Sequence, residues 1–187
     1  MPESFLGEGL TFEDVLPLVW VAGPLPQPVA LAHLNADNYQ LLMAESSVDE
    51  ARVHEALKDE SPALLHELQR LEFKLNVLMR VIAELTGRNS HLPPPQRVTL
   101  ASRGVEWTGG EALGIGSTGI LDLYINAALP QPLRLPATVV GHRTHGDGSA
   151  AVQIQFSGLN EQVVDLVEKL IFRHHRRLVA GSRHSPH

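Results

Sequence analysis

The sequence predicts an α+β protein: a small antiparallel β-barrel with a C-terminal helix, carrying an inserted long coiled-coil helix. Three observations predict this. Leu64, Leu68, Leu71, Leu75, Leu78, Ile82 and Leu85 recur in alternating steps of four and three, which is a heptad seam. From Pro95 onward the hydrophobic period falls to two, in short runs punctuated by Gly, Pro and Asp. A helical period then returns at Val163, Leu166, Val167, Leu170 and Ile171.

The 187 residues suffice for one sizeable core, or for a small domain with an appendage. No cysteine is present, so disulfides and thiol catalysis are excluded. Met1-Pro2-Glu3 opens no basic and apolar signal segment, and no apolar run approaches a membrane span. A cytoplasmic protein is therefore expected, with no membrane insertion and no nucleic acid as partner.

The net charge of -6 conceals an asymmetry. The first 51 residues hold eight carboxylates and no Lys or Arg, whereas Leu170 onward holds four arginines, four histidines and no acid. Such a split predicts an acidic and a basic surface that meet, within one chain or between chains. The stretch 181–187 is expected to be a solvated tail.

Taken in order, Leu16, Leu18 and Trp20 alternate as a strand, which Pro17 should confine to an edge or a bulge. Pro24, Pro26 and Pro28 end it in an extended loop, so residues 11–28 form a first strand and its loop. A short helix is expected from Asn35 to Glu45. Ser47 to Glu50 matches a capping box for a second, running through Ala56 and Leu57. Ser61-Pro62 then supplies a capping hydroxyl and a first-turn proline for the heptad helix, and Gly87 should end it. Residues 35–90 thus read as a helical oligomerisation insertion between Pro-rich ends, with a core separate from the barrel's. In 95–180, strands are expected at "RVTLAS", "GVEW", "GILDLYI", "LRLPATVVG" and "AVQIQF", with Gln153 and Gln155 outward. Asn160 caps the last helix.

The seam also speaks to the number of chains. At ~1.5 Å per residue it is roughly 33 Å long. Leu65 and Met79 at e and Val81 at g widen the apolar stripe beyond a dimer's, and Glu67 would face a partner's Glu72 in a parallel dimer. A homo-tetramer is expected.

The order of elements in the second half resembles the bacterial PilZ domain. The run is a strand ending in a Ser-Gly turn, Leu-x-Leu strands, "FSGLN", and a terminal helix with Arg near its end. Some PilZ proteins also carry long heptad helices that assemble four copies. The resemblance implies a PilZ-like barrel discontinuous in sequence, and cyclic di-GMP bound through an Arg-x-x-x-Arg arm and a [Asp/Asn]-x-Ser-x-x-Gly turn. Guanidinium forks suit that ligand because its phosphates accept paired hydrogen bonds and its guanines stack. In this chain the turn's acid is Thr99, its serine is Ala101, and Gly104 alone matches. The arm before the first strand, "GEGLTFED", has no arginine. Arg97 and Arg103 are the local replacements.

Other constellations read as scaffold. His142, His145 and Asp147 share a Gly-rich hairpin tip, which ordinarily is solvated loop. Gly114-x-Gly116-x-x-Gly119 has dinucleotide spacing, but no helix opens behind it, so it reads as a barrel loop. His174 and His175 read as one side of a helix in water. No serine, histidine and carboxylate form a nucleophile arrangement, so no enzyme, cofactor or metal is expected. Two functions remain: a tetrameric adaptor acting on a protein partner in a cyclic di-GMP-linked pathway, or a cyclic di-GMP receptor clamping its ligand with Arg97 and Arg103.

Overall fold

The computed structural model describes residues 9–46, 61–85, 92–108, 113–126, 131–146 and 148–182. Six strands close into one antiparallel barrel: β1 (Phe12–Ala22), β2 (Pro95–Ala101), β3 (Gly104–Thr108), β4 (Thr118–Leu123), β5 (Leu133–Thr144) and β6 (Ala150–Phe156), in the order β1-β2-β3-β6-β5-β4. Among the described residues three helices accompany it: α1 (Pro28–Ser46), α2 (Pro62–Leu85) and α3 (Glu161–Ser182).

Alternation along each strand sends one set of side chains inward. Val98, Leu100, Val105, Trp107, Leu121, Leu123, Leu133, Leu135, Val139 and Ile154 fill the interior. Val163, Leu166, Val167 and Ile171 of α3 join the same cluster. The Asn160 Oδ1 accepts from the Val163 N–H at 2.9 Å, so the expected cap is present.

Pro17 does not sit on an edge, since a closed barrel has none. Residues 12–17 of β1 pair with β2, and residues 18–22 pair with β4. Pro17 occupies the handover, facing Pro95, where neither residue has an N–H to donate. Its carbonyl accepts from the Tyr124 N–H at 3.0 Å instead.

The first helix begins at Pro28 rather than Asn35, and it packs against α3 and β5. Leu34, Asn35, Asn38, Leu41 and Leu42 form its buried stripe, at helical spacing. Leu41 and Leu42 belong to the barrel's own hydrophobic cluster. This helix is therefore barrel-side structure, unlike the projecting insertion expected from residue 35. The Ser47–Glu50 capping box and the Gly87 terminator lie outside the described residues.

Helix α2 opens with Pro62 in its first turn, as expected, and the Leu65 N–H donates to the Ser61 main-chain carbonyl at 3.1 Å. It has no substantial packing against any other described element. Leu64, Leu71, Leu75 and Leu78 are each at least half exposed, and Leu68 is half-buried. The helix backbone continues through Ile82 and Leu85.

Candidate functional site

The turn residues lie on the β2–β3 hairpin. Ala101 pairs with Gly104 across a two-residue turn, Ser102-Arg103. Strand pairing sets Glu13 of β1 beside Thr99 of β2, and Thr99 beside Glu106 of β3. Thr99 thus stands as a neutral hydroxyl residue between two carboxylate residues. Ala101 is buried and has no hydroxyl to offer.

Arg97 and Arg103 are both exposed, near opposite ends of that hairpin. Arg97 pairs with Val15, and about 13 Å of strand separates it from Ala101, where the turn begins. The Arg103 carbonyl accepts from the Phe156 N–H at 2.9 Å, which ties the turn to the end of β6.

Next to Thr99 the outer wall carries a closed polar cluster that sequence reasoning missed. Glu106 is only 4% exposed. Its carboxylate accepts from Gln153 Nε2 at 2.6 Å, and lies 3.1 Å from His145 Nε2 and 3.6 Å from Arg143 Nε. Gln153 faces outward as its alternation requires, yet these side chains bury it. Gly141 makes room for it, because a Cβ there would stand 3.1 Å from the Gln153 Oε1.

His145 is therefore committed to Glu106, while His142 Nε2 approaches the Leu113 carbonyl at 2.6 Å. The two histidines of the hairpin tip turn to different partners, and Asp147 lies outside the described residues. Among the described residues no group of three His, Asp or Glu side chains is placed to hold a metal. The glycine series is barrel loop and strand. Gly116 turns at φ +86°, and Gly119 sits within β4, where a Cβ would meet the Val21 carbonyl at 2.5 Å.

The acidic N-terminal stretch and the basic end meet at the foot of β1. Arg173 donates to the Glu45 carbonyl at 3.1 Å, satisfying an end-of-helix acceptor of α1. His174 stacks edge-on against Phe12, ring centroids 3.9 Å apart, with its Nε2 3.8 Å from Asp14. His174 is thus packed against the barrel instead of facing water.

Between the segment preceding β1, the β2–β3 turn and α3 lies an open cavity of about 510 Å³. Gly9 and Leu10 form one side, Ser102 another, and Asp165, Glu168, Lys169, Ile171 and Phe172 of α3 the third. No single sequence motif marks it, because its walls come from three distant segments.

A closed six-stranded barrel, with a lined cavity at its mouth, defines the class of small β-barrel binding modules. Within that class, the chain belongs to the atypical PilZ domain family, whose members are described as cyclic di-GMP receptors. The family model matches residues 42–184, more than half of the chain.

Among solved structures the chain is similar to a pathogenic protein of Xanthomonas campestris. That protein is described as a new tetrameric PilZ domain self-assembled via an unusual helical bundle. The two share 26% identity over 92% of this chain and 91% of that one, with a TM-score of 0.71. A weaker likeness is to YcgR of Escherichia coli in complex with c-di-GMP. There the identity is 14% over 48% of this chain and 38% of that one, with a TM-score of 0.40. No curated protein matches the chain. Among the described residues no helix is long and apolar enough to cross a membrane.

Proposed function

We propose that this protein is a non-enzymatic, cytoplasmic PilZ-type adaptor. It assembles as a homo-tetramer through the α2 seam and acts on protein partners in a cyclic di-GMP-linked pathway. The observation that carries the reading is the exposure of Leu64, Leu71, Leu75 and Leu78 on a helix without substantial packing against another described element. Four such helices bury one another's seams, and Leu68, Ile82 and Leu85 extend the contact. The Xanthomonas campestris protein, similar over nearly the whole chain, supports four as the number.

Degenerate nucleotide motifs complete the proposal. Thr99 and Ala101 lack the acid and the serine, and Gly104 alone remains. The arm before β1 contributes carboxylates where phosphates would need guanidiniums. Each missing Arg–phosphate bond is worth about 1.5–3 kcal/mol, so two lost forks weaken binding by several powers of ten.

The family's description as cyclic di-GMP receptors favours a second reading, in which Arg97 and Arg103 bind the nucleotide. Calorimetry with cyclic di-GMP, together with mass measurement in solution, separates the two. A tetramer with no micromolar binding supports the adaptor. Micromolar binding abolished by Arg97→Ala establishes the receptor.

A further inference from the structure

The cavity at the barrel mouth has a volume of about 510 Å³, within the ~300–1,000 Å³ of ligand clefts. Its charges are matched inside its own walls. Asp165 and Glu168 stand on α3 beside Lys169, and the Arg176 guanidinium lies over the Phe172 ring, 5.9 Å from its centroid. What is left without cover is apolar. Leu10 and Phe172 are 48% and 49% exposed, above a buried Ile171. Apolar side chains suit such a cavity, since they gain by leaving water and add no charge to be paired.

The occupant follows from where the chain runs. Gly9 and Leu10, the first described residues, line the cavity, so the segment before them is joined to its rim. That segment, residues 1–8, reads Met-Pro-Glu-Ser-Phe-Leu-Gly-Glu, with Phe5 and Leu6 as an adjacent apolar pair. At ~3.3–3.6 Å per residue, Phe5 reaches roughly 14 Å from Gly9, which covers a cavity that Gly9 itself lines. A Cβ at Gly9 would meet nothing within 4 Å, and its φ is not positive. Neither crowding nor a left-handed backbone therefore requires glycine there, and freedom to reverse the chain is what glycine adds.

We infer that residues 1–8 turn back at Gly9 and seat Phe5 and Leu6 against Leu10, Ile171 and Phe172, as a plug carried by the chain itself. The tether makes so small a contact effective. It sets a local concentration in the millimolar range, so a contact too weak to hold a free peptide at micromolar concentration still fills the cavity. The plugged mouth includes Ser102 of the β2–β3 turn, so a molecule approaching that turn must first displace the plug.

The test uses the full chain with 4-fluorophenylalanine at its five phenylalanines, read by fluorine NMR with a soluble gadolinium chelate. Phe5 and Phe172 should be shielded from the chelate. Deleting residues 1–8 should broaden the Phe172 signal severalfold and leave buried Phe12 unchanged, which reports an intact barrel. Phe172→Ala should expose Phe5 in turn. The free peptide Met1–Glu8, added at millimolar concentration to the shortened chain, should restore the shielding, and the peptide with Phe5→Ser and Leu6→Ser should not. Phe5 as open to the chelate in the full chain as in the free peptide, or Phe172 indifferent to the deletion, would overturn the inference. So would shielding of Phe172 in labelled shortened chains mixed with unlabelled full chains, since the segment would then come from a second copy. Tetramer mass and nucleotide titration do not enter this readout, so the plug and the adaptor reading fail separately.

Discussion

Asn38 on α1 and Arg134 on β5 are joined by two hydrogen bonds that copy a strand pair. The Asn38 Nδ2 donates to the Arg134 carbonyl at 2.8 Å, and the Arg134 N–H donates to the Asn38 Oδ1 at 2.9 Å. The β6 ladder engages β5 only from Ala137 onward, so at Arg134 the strand has no neighbour on that side. A side-chain amide from a helix therefore completes the barrel's hydrogen bonding. Asn38→Ala should lower stability by about 2–4 kcal/mol, since two backbone groups lose their partner at a buried site. Urea unfolding measures this, and a loss below about 1 kcal/mol would mean water replaces the amide freely.

One turn further along the same contact, Gly158 has φ +74°, and a Cβ there would stand 2.5 Å from the Leu31 Cδ2 of α1. The Asn35 Nδ2 also donates to its carbonyl at 3.0 Å. Gly158→Ala should cost about 1–3 kcal/mol through backbone strain and displacement of α1. Adding Leu31→Ala should recover only the steric part. Complete recovery in the double variant would show that the positive φ is unimportant.

Asp122 titrates against the usual trend. Burial raises its pKa from the ordinary 3.8, and the neighbouring Arg134 guanidinium only partly opposes this. A carboxyl whose folded pKa is raised favours folding fully below its ordinary value, and that contribution is lost as pH rises through the raised one. Asp122→Asn should thus equal or exceed the wild type in stability at pH ~7, with the gap closing towards pH ~3. Chemical unfolding at both pH values is the check. A clear loss at neutral pH would show that the Arg134 pairing, 3.4 Å long, outweighs desolvation.

Leu71→Asp with Leu78→Asp should reduce the assembly to monomers in light scattering while leaving the barrel's spectrum intact. Both leucines are exposed in the chain itself, so their replacement breaks no described intramolecular contact. An unchanged mass would remove the seam from the account.

Replacing residues 47–91 with about twenty Gly and Ser residues, reaching roughly 25 Å, should yield a folded monomer. Removing residues 35–91 should not. The longer deletion takes Leu41 and Leu42 from the core, at about 1.5–3 kcal/mol each, together with Asn35 and Asn38. A stable product from the longer deletion would show that α1 is dispensable to the barrel.

The strands, the C-terminal helix and the start of α2 were legible because their signals are local. Alternation in "AVQIQF", the stripe behind Asn160 and the Ser61-Pro62 start each follow from the backbone's own period and cap chemistry. The reach of α1 was not legible, because two of the five residues on its buried stripe are asparagines, and a buried amide looks like surface until its partner is known. The partner, Arg134, is 96 residues away. Pro17 misled for the same reason: only closure of the sheet shows that a residue lacking an N–H sits where one ladder ends and another begins. Glu106 and Gln153, 47 residues apart, became a buried pair only when β3 met β6. Sequence by itself determined which residues want burial and with what period. Tertiary structure decided which polar groups are buried with them, because a buried amide or carboxylate is stable only opposite a specific partner, and that partner comes from another strand or helix.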